Sequence, residues 1–310
     1  MLTLSILTCN ARSYSARRLA RAAVARGIEA RVYDTLRFSL LVDTENPALL
    51  YDGARLLPPL AALPRIGASV TTFGLAVVRQ LEQLGVLTIN GSEAIAASRD
   101  KLRGAQMLSA RGVKVPATAF VRRREAIEPA IEQLGGAPVV VKLLEGTQGI
   151  GVMLADTAEA AEAVVQALHS ARQNVLMQRF VRESRGRDVR VVVVGGRVIA
   201  AMQRNARHGE FRSNVHRGGR GDRIELTPEL ERAALDATRV LGLDVAGVDL
   251  LEGTEGPLVL EVNASPGLDA IERTTGVDVA GAIIDHVQAR LLTLTRLDAS
   301  DPARAELMRS

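Results

Sequence analysis

Two apolar runs, "VAGVDLLEG" and "GPLVLEVN", are parted only by Thr254 and Glu255 and read together as a β-hairpin over Val245–Asn263. Turned symmetrically about Glu255, the hairpin sets Asp249 directly opposite Glu261. Two carboxylates facing each other across paired strands repel. In a half-buried sheet that arrangement is costly unless a cation lies between them. Strand side chains repeat every two residues, so Asn263 shares a face with Glu261. Asp249, Glu261 and Asn263 then make a set of hard oxygen donors, with no His or Cys beside them. Such a set suits Mg²⁺ or Mn²⁺ better than zinc. Mg²⁺ fills its octahedron with water and phosphate oxygens, so a triphosphate partner is implied. The plain alternative is a hairpin with a solvated polar face.

The rest of the chain bounds what can surround this hairpin. Its 310 residues exceed one ordinary domain, and 47% hydrophobic with 24% charged residues suits a soluble globular protein. The opening "MLTLSILT" is too short to span a bilayer and lacks a basic lead-in, so it reads as a buried first strand and no membrane role is expected. A single cysteine, Cys9, rules out an internal disulfide and suits a cytoplasmic location. The net charge of +4 favours anionic ligands, while 3% aromatics and no Trp supply few stacking platforms and argue against direct nucleic-acid binding.

Residues 1–95 alternate strand and helix signals and predict a small parallel α/β domain. Its segments are "LTLSILT", "SYSARRLARAAVARGI", "ARVYDT", "FGLAVVRQLEQLG" and "VLTIN". No Gly-x-Gly-x-x-Gly follows the first strand, which argues against a dinucleotide site there. A second domain, 96–184, starts with one long helix over "SEAIAASRDKLRGAQMLSARG" and carries a glycine loop between two strands. A third, 185–292, has an antiparallel flavour. The run "RDVRVVVVGGRVIAAMQRN" predicts a hairpin turning at Gly195-Gly196, and a helix is expected after Thr227 and Pro228. A final helix is expected over roughly 278–294, with 293–310 a polar tail.

Phosphate chemistry has its own signals. Only three of the 39 basic residues are lysines, Lys101, Lys114 and Lys142, in a chain otherwise given to arginine. Such a bias marks places that need a compact ammonium. Lys142 ends the apolar run "PVVVK", three residues before "EGTQGIG" with Gly146, Gly149 and Gly151. Glycines let backbone N–H groups close on phosphate oxygens. A P-loop puts its lysine after the glycines, so the order here predicts a strand–loop–strand lid instead. The loop "HGEFRSNVHRGGRGDR" adds Arg212, Arg217, Arg220 and Arg223 as a clamp on anions, and Arg190 and Arg204 project from the preceding hairpin.

Together "VVVKLLEGTQGIGV", "DVRVVVVGGRVIAA", "FRSNVHRGG", "VAGVDLL" and "LVLEVNASPGL" resemble the ATP-grasp ligases, most closely the RimK-like glutamate ligases, over about residues 1–292. The resemblance implies an α/β (α+β) ATP-grasp fold in three domains, with ATP held between the second and third. By the same resemblance Lys101 and Lys142 contact ATP phosphates and Gly149 covers them. Arg179 and Phe180 form the adenine hinge, where relatives commonly carry Glu at the position of Arg179. Asp188 faces the ribose, and Arg212, Ser213 and Asn214 lie against the nucleotide. Asp249, Glu261 and Asn263 hold two Mg²⁺ or Mn²⁺ ions.

The implied reaction forms an acyl phosphate from a carboxylate and ATP, which the amine of L-glutamate then converts to an amide. Arg190, Arg204 and Arg212 are the candidates for holding the acyl phosphate. The implied acceptor is the acidic C-terminal tail of a small-subunit ribosomal protein, the sixth, or a growing poly-α-glutamate. A homo-oligomer, a tetramer, is implied as well. The alternatives are a ligase joining an amino acid to a small-molecule cofactor and a non-catalytic ribosome- or RNA-binding protein.

Overall fold

The computed structural model describes residues 2–144, 151–207, 210 and 219–300. The chain divides into two units: Met1–Ile95 with Gly267–Glu272 and Val277–Ser310, and Ala96–Pro266 with Arg273–Gly276.

The first unit is built on β1 (Thr3–Leu7), α1 (Tyr14–Ala25), β2 (Glu29–Tyr33), β3 (Phe38–Leu41), β4 (Ala48–Tyr51), β5 (Ala54–Arg55), β6 (Ala61–Pro64), α2 (Thr71–Gln83) and β7 (Leu87–Thr88). Its main sheet runs β2-β1-β6-β7 with every pair parallel, as the alternating pattern predicts. Ser13 caps α1, its hydroxyl oxygen accepting from Ala16 N at 3.2 Å, and the helix buries Ala16, Leu19, Ala22 and Ala23. Strand β6 and the antiparallel meander β3-β4-β5 have no counterpart among the strands the pattern predicts. The residues "AALP" of β6 are wholly buried but carry neither alternation nor a β-branched side chain, so neither strand signal is written there.

The second unit opens within α3 (Ser92–Arg99), followed by α4 (Lys101–Ala110). The single helix expected here is broken at Asp100, whose carboxylate accepts from Leu102 N and Arg103 N, both at 3.0 Å. That cap restarts the helix and fixes Lys101 at its first position. Then come β8 (Thr118–Phe120), α5 (Ile127–Gln133), β9 (Val139–Leu143), β10 (Val152–Ala155), α6 (Ala158–Ser170) and β11 (Val175–Arg179). Their antiparallel sheet has the order β10-β9-β11-β8. Val139, Val141, Val175 and Met177 pack under Ile127, Ile131, Ala161 and Val165 of α5 and α6. Because side chains alternate, Val140 and Lys142 of β9 and Leu176 and Gln178 of β11 belong to the opposite face.

A second sheet follows, made of β12 (Arg187–Val194), β13 (Arg197–Asn205), β14 (Arg220–Arg223), β15 (Val245–Gly253) and β16 (Gly256–Asn263), with α7 (Pro228–Val240) before β15. Its order is β14-β13-β12-β15-β16, antiparallel throughout. Helix α7 is capped by Thr227, starts on Pro228 and buries Leu230, Ala234, Ala237 and Thr238. The sequence sets a domain boundary at 184/185. Within the second unit that position separates the two sheets, which stay together in one compact body.

The chain closes with α8 (Asp269–Thr275) and α9 (Val279–Ser300). Helix α9 belongs to the first unit rather than to the third domain that its position suggested, and it runs further than 294. It packs on α1, where Arg26, just past the end of that helix, pairs with Asp285, and its Ile283, Ile284 and Val287 are fully buried.

Candidate active site

Alternation along the strands of the second unit produces a cleft between its two sheets. Lys142, Leu176 and Gln178 line it from the first sheet, and Asp188, Arg204 and Asp249 from the second. Lys101 from the start of α4 joins the lining, as do Arg179 and Phe180 where β11 ends.

Lys142 is the electrostatic centre of the first wall. The residue is half-buried, and its ammonium donates to Gln178 Oε1 at 2.6 Å. Burial pushes its pKa down to about 8; the charge of Glu261 opposes the shift and Lys101 adds to it. A cation in that position is under-compensated, and an arriving anion relieves the cost. Lys101 Nζ donates to the backbone oxygens of Leu143 and Leu144, at 3.3 and 2.9 Å, so its stem crosses the end of β9. Arg99 also feels Glu261: burial lowers its pKa and the carboxylate opposes that.

The second wall carries a buried chain of alternating charge, Asp188–Arg204–Asp249–Arg190. Cross-strand register creates it, since Asp188 pairs with Arg204 across β12 and β13, and Arg190 with Asp249 across β12 and β15. Arg204 grips Asp188 through two bonds of 2.5 and 2.6 Å and reaches Asp249 Oδ2 at 2.9 Å. Arg190 holds Asp249 through Nε to Oδ1 and through Nη2 to Oδ2 at 2.6 Å. Burial works against the charge of Arg204, yet Asp249 and Asp188 outweigh it and raise its pKa. Burial likewise opposes the Asp249 carboxylate, and Arg190 and Arg204 bring its pKa below the usual range.

Asp249 and Glu261 are register partners, as the sequence predicts, though by a different route. The turn is centred between Thr254 and Glu255, with Gly253 opposite Gly256, which on a regular ladder places Leu260 opposite Asp249. The register shifts between Asp249 and Leu250, and this bulge brings Glu261 into line. Their proximity is relieved in two ways not foreseen from sequence. Asp249, only 3% exposed, is neutralised by two guanidinium groups, and Glu261 is exposed.

Asn263 pairs with Gly247, two ladder positions beyond, and is outside the lining of the cleft. Among the described residues no three His, Cys, Asp or Glu side chains converge on one point. The oxygen-only set of Asp249, Glu261 and Asn263 still fits a hard divalent cation in its chemistry. Asp249 Oδ1 accepts from Arg190 Nε, and its second lone pair is the one that could face such an ion.

Of the predicted site residues, Lys101, Lys142, Arg179, Phe180, Asp188, Arg204, Asp249 and Glu261 meet in one cleft. Arg190 joins through its bonds to Asp249. Gly149, Arg212, Ser213 and Asn214 lie outside the described residues. Sequence reasoning gave no role to the Gln178 side chain or to Thr118, which sits opposite it in register. The signal was the polar residue at a cleft-facing position of an otherwise apolar strand.

Residues 98–287 match the model of the RimK-like ATP-grasp domain, and residues 2–95 that of the RimK PreATP-grasp domain. The probable alpha-L-glutamate ligase of Rhodopirellula baltica is 53% identical over 288 residues, covering 93% of this chain and 71% of that protein. The probable alpha-L-glutamate ligase of Aliivibrio fischeri is 50% identical over 290 residues, covering 94% of this chain and 96% of that one. Among solved structures, the ATP-grasp ligase PsnB complexed with minimal precursor, Mg and ADP superposes with a TM-score of 0.71 at 21% identity, covering 93% of this chain and 98% of that one.

Proposed function

The chain belongs to the RimK-like ATP-grasp family of ATP-dependent carbon–nitrogen ligases, and from that premise we propose that it joins L-glutamate through its amino group to a carboxylate acceptor. The single observation that carries the reading is the under-compensated Lys142 ammonium in the cleft that also holds Asp249 and Glu261. Phosphate on the lysine side and a divalent cation on the carboxylate side satisfy both walls at once. The relatives' names support glutamate as substrate; the PsnB complex with minimal precursor, Mg and ADP supports nucleotide and Mg²⁺, and the PsnB complex with a precursor peptide supports a peptide acceptor.

In this reading the acceptor carboxylate attacks the γ-phosphate of ATP, releasing ADP and leaving an acyl phosphate. The glutamate amine then attacks the acyl carbon and phosphate departs as the amide forms. Lys101 and Lys142 hold phosphate oxygens, Arg179 and Phe180 border the base, and Asp188 stands on the ribose side. Gly149, Arg212, Ser213 and Asn214 complete the nucleotide contacts. Asp249, Glu261 and Asn263 hold Mg²⁺ or Mn²⁺, two ions in all; such ions neutralise the charge that builds on the transferred phosphoryl group. Arg190 and Arg204, with Arg212, stabilise the acyl phosphate.

The acceptor is the acidic C-terminus of a small-subunit ribosomal protein or a poly-α-glutamate chain, in the cytoplasm, with the enzyme acting as a homo-oligomer. Among the described residues no helix is long and apolar enough to cross a membrane. The test is ADP release with ATP, Mg²⁺ and glutamate, with and without an acidic peptide, followed by mass spectrometry of the peptide. Added glutamate residues on the peptide support the proposal. Turnover with small carboxylates but never with a peptide points to a cofactor ligase, and no glutamate-dependent ADP points to a binding protein.

A further inference from the structure

The Lys142 ammonium is held in place by a chain of side-chain hydrogen bonds that reaches back to the backbone. An ammonium has only protons to give, so the Gln178 atom receiving it at 2.6 Å is the carbonyl oxygen Oε1. At the far end the Thr118 hydroxyl donates its one proton to the Pro116 backbone oxygen at 2.8 Å. Thr118 Oγ1 is thereby left as an acceptor, and it takes a hydrogen bond from Gln178 Nε2 at 2.9 Å. Both ends independently demand the same orientation of the Gln178 amide. Register explains why the three meet: Gln178 pairs with Thr118 on one side and with Val140, two residues before Lys142, on the other. Gln178 is only 9% exposed, so water has little access with which to replace either bond.

We propose that Thr118 and Gln178 are positioning residues that aim the Lys142 ammonium at the nucleotide phosphates. The inference rests on the reading of Lys142 as a phosphate partner. Thr118 itself lies in the lining of the cleft. It acts by forbidding the flipped amide, in which the Gln178 NH₂ would face the ammonium and repel it.

The experiment measures equilibrium binding of Mg·ADP to the full chain by calorimetry, with initial rates and melting curves alongside. Thr118→Val keeps the side-chain shape and removes the acceptor. It should weaken Mg·ADP about tenfold, the loss of roughly one hydrogen bond to a charged group. Thr118→Ser restores the hydroxyl and should bind within about twofold of the unmodified chain. Gln178→Met should weaken binding to a similar degree, and Thr118→Val added to it should cost nothing further, because both act through one contact. The KM for glutamate should stay unchanged in all of them.

Unchanged affinity in Thr118→Val, or independent multiplying effects of the two substitutions, overturns the proposal. Lys142→Met separates the two readings. If it loses nucleotide while Thr118→Val does not, the relay alone is wrong. If Lys142→Met binds Mg·ADP normally, the phosphate role of Lys142 is wrong.

Discussion

Arg190 and Asp249 are cross-strand partners whose side chains close on each other through two hydrogen bonds, inside the same buried chain that joins Arg204 to Asp188. The carboxylate proposed to serve a metal therefore also neutralises two arginines, and its loss has two separable consequences. Asp249→Asn should reduce turnover by about 10²-fold or more. It should also destabilise the fold by about 3–5 kcal/mol, since Arg190 loses the carboxylate it grips and Arg204 keeps only Asp188 of its two. Glu261→Gln, at an exposed position, should reduce turnover to a similar extent with the melting temperature unchanged. Denaturant titration beside the ADP-release assay reads both effects, and full activity in either variant removes that residue from the site.

The depressed pKa of Lys142 gives nucleotide binding a direction in pH. Its ammonium is charged below about 8 and neutral above, so Mg·ADP affinity should fall as pH rises from 7 to 9. Stability runs the other way. The unfolded chain keeps the lysine proton up to about 10.5, so between about 8 and 10.5 it binds more protons than the folded chain, and stability gains with rising pH. Below about 8 both states are protonated and the burial cost is present in full. Lys142→Met should flatten both profiles, as calorimetry and urea titration across this range would reveal.

Arg204 is 5% exposed and serves two carboxylates. Arg204→Met removes the forked contact from Asp188 and one of the two guanidinium partners of Asp249. A loss of about 3–5 kcal/mol in urea unfolding is expected. Arg204→Lys should recover only part of it, because an ammonium cannot repeat the forked contact to Asp188.

Gly151 has φ +71°, and an added Cβ would lie 2.5 Å from Leu143 Cδ1. Gly151→Ala should cost about 1–2 kcal/mol from the left-handed backbone alone, with the clash added to that. Pairing it with Leu143→Ala should relieve the collision and leave the backbone strain. Comparison of the Gly151→Ala increment in the two backgrounds by denaturant titration checks this, and equal increments would exclude the Leu143 contact.

The legible parts of the sequence were those where local pattern and tertiary role agree. "VVVK" reads as a strand because Val139 and Val141 face a core, and the two hairpins are written by their turn residues. The Asp249–Glu261 pair was legible too, yet the symmetric turn assumed for it is absent. A bulge supplies the missing residue, and no local signal announces a bulge at Leu260. The buried Asp188–Arg204–Asp249–Arg190 chain was hidden for a different reason. It depends on the register among β12, β13 and β15, and sequence gives charges without saying which strands adjoin. Strand β6 was missed because burial on every side leaves no alternation to detect.

Helix α9 joins the first unit, and Arg18 of α1 is bonded to both Glu272 and Asp278. A ribosome making this chain therefore releases the strands of the amino-terminal sheet long before the helix that covers α1. The second unit has all its strands translated by Asn263, ahead of α9. The domain begun first is thus the one finished last, and α1 must wait through most of translation for the partner that buries it.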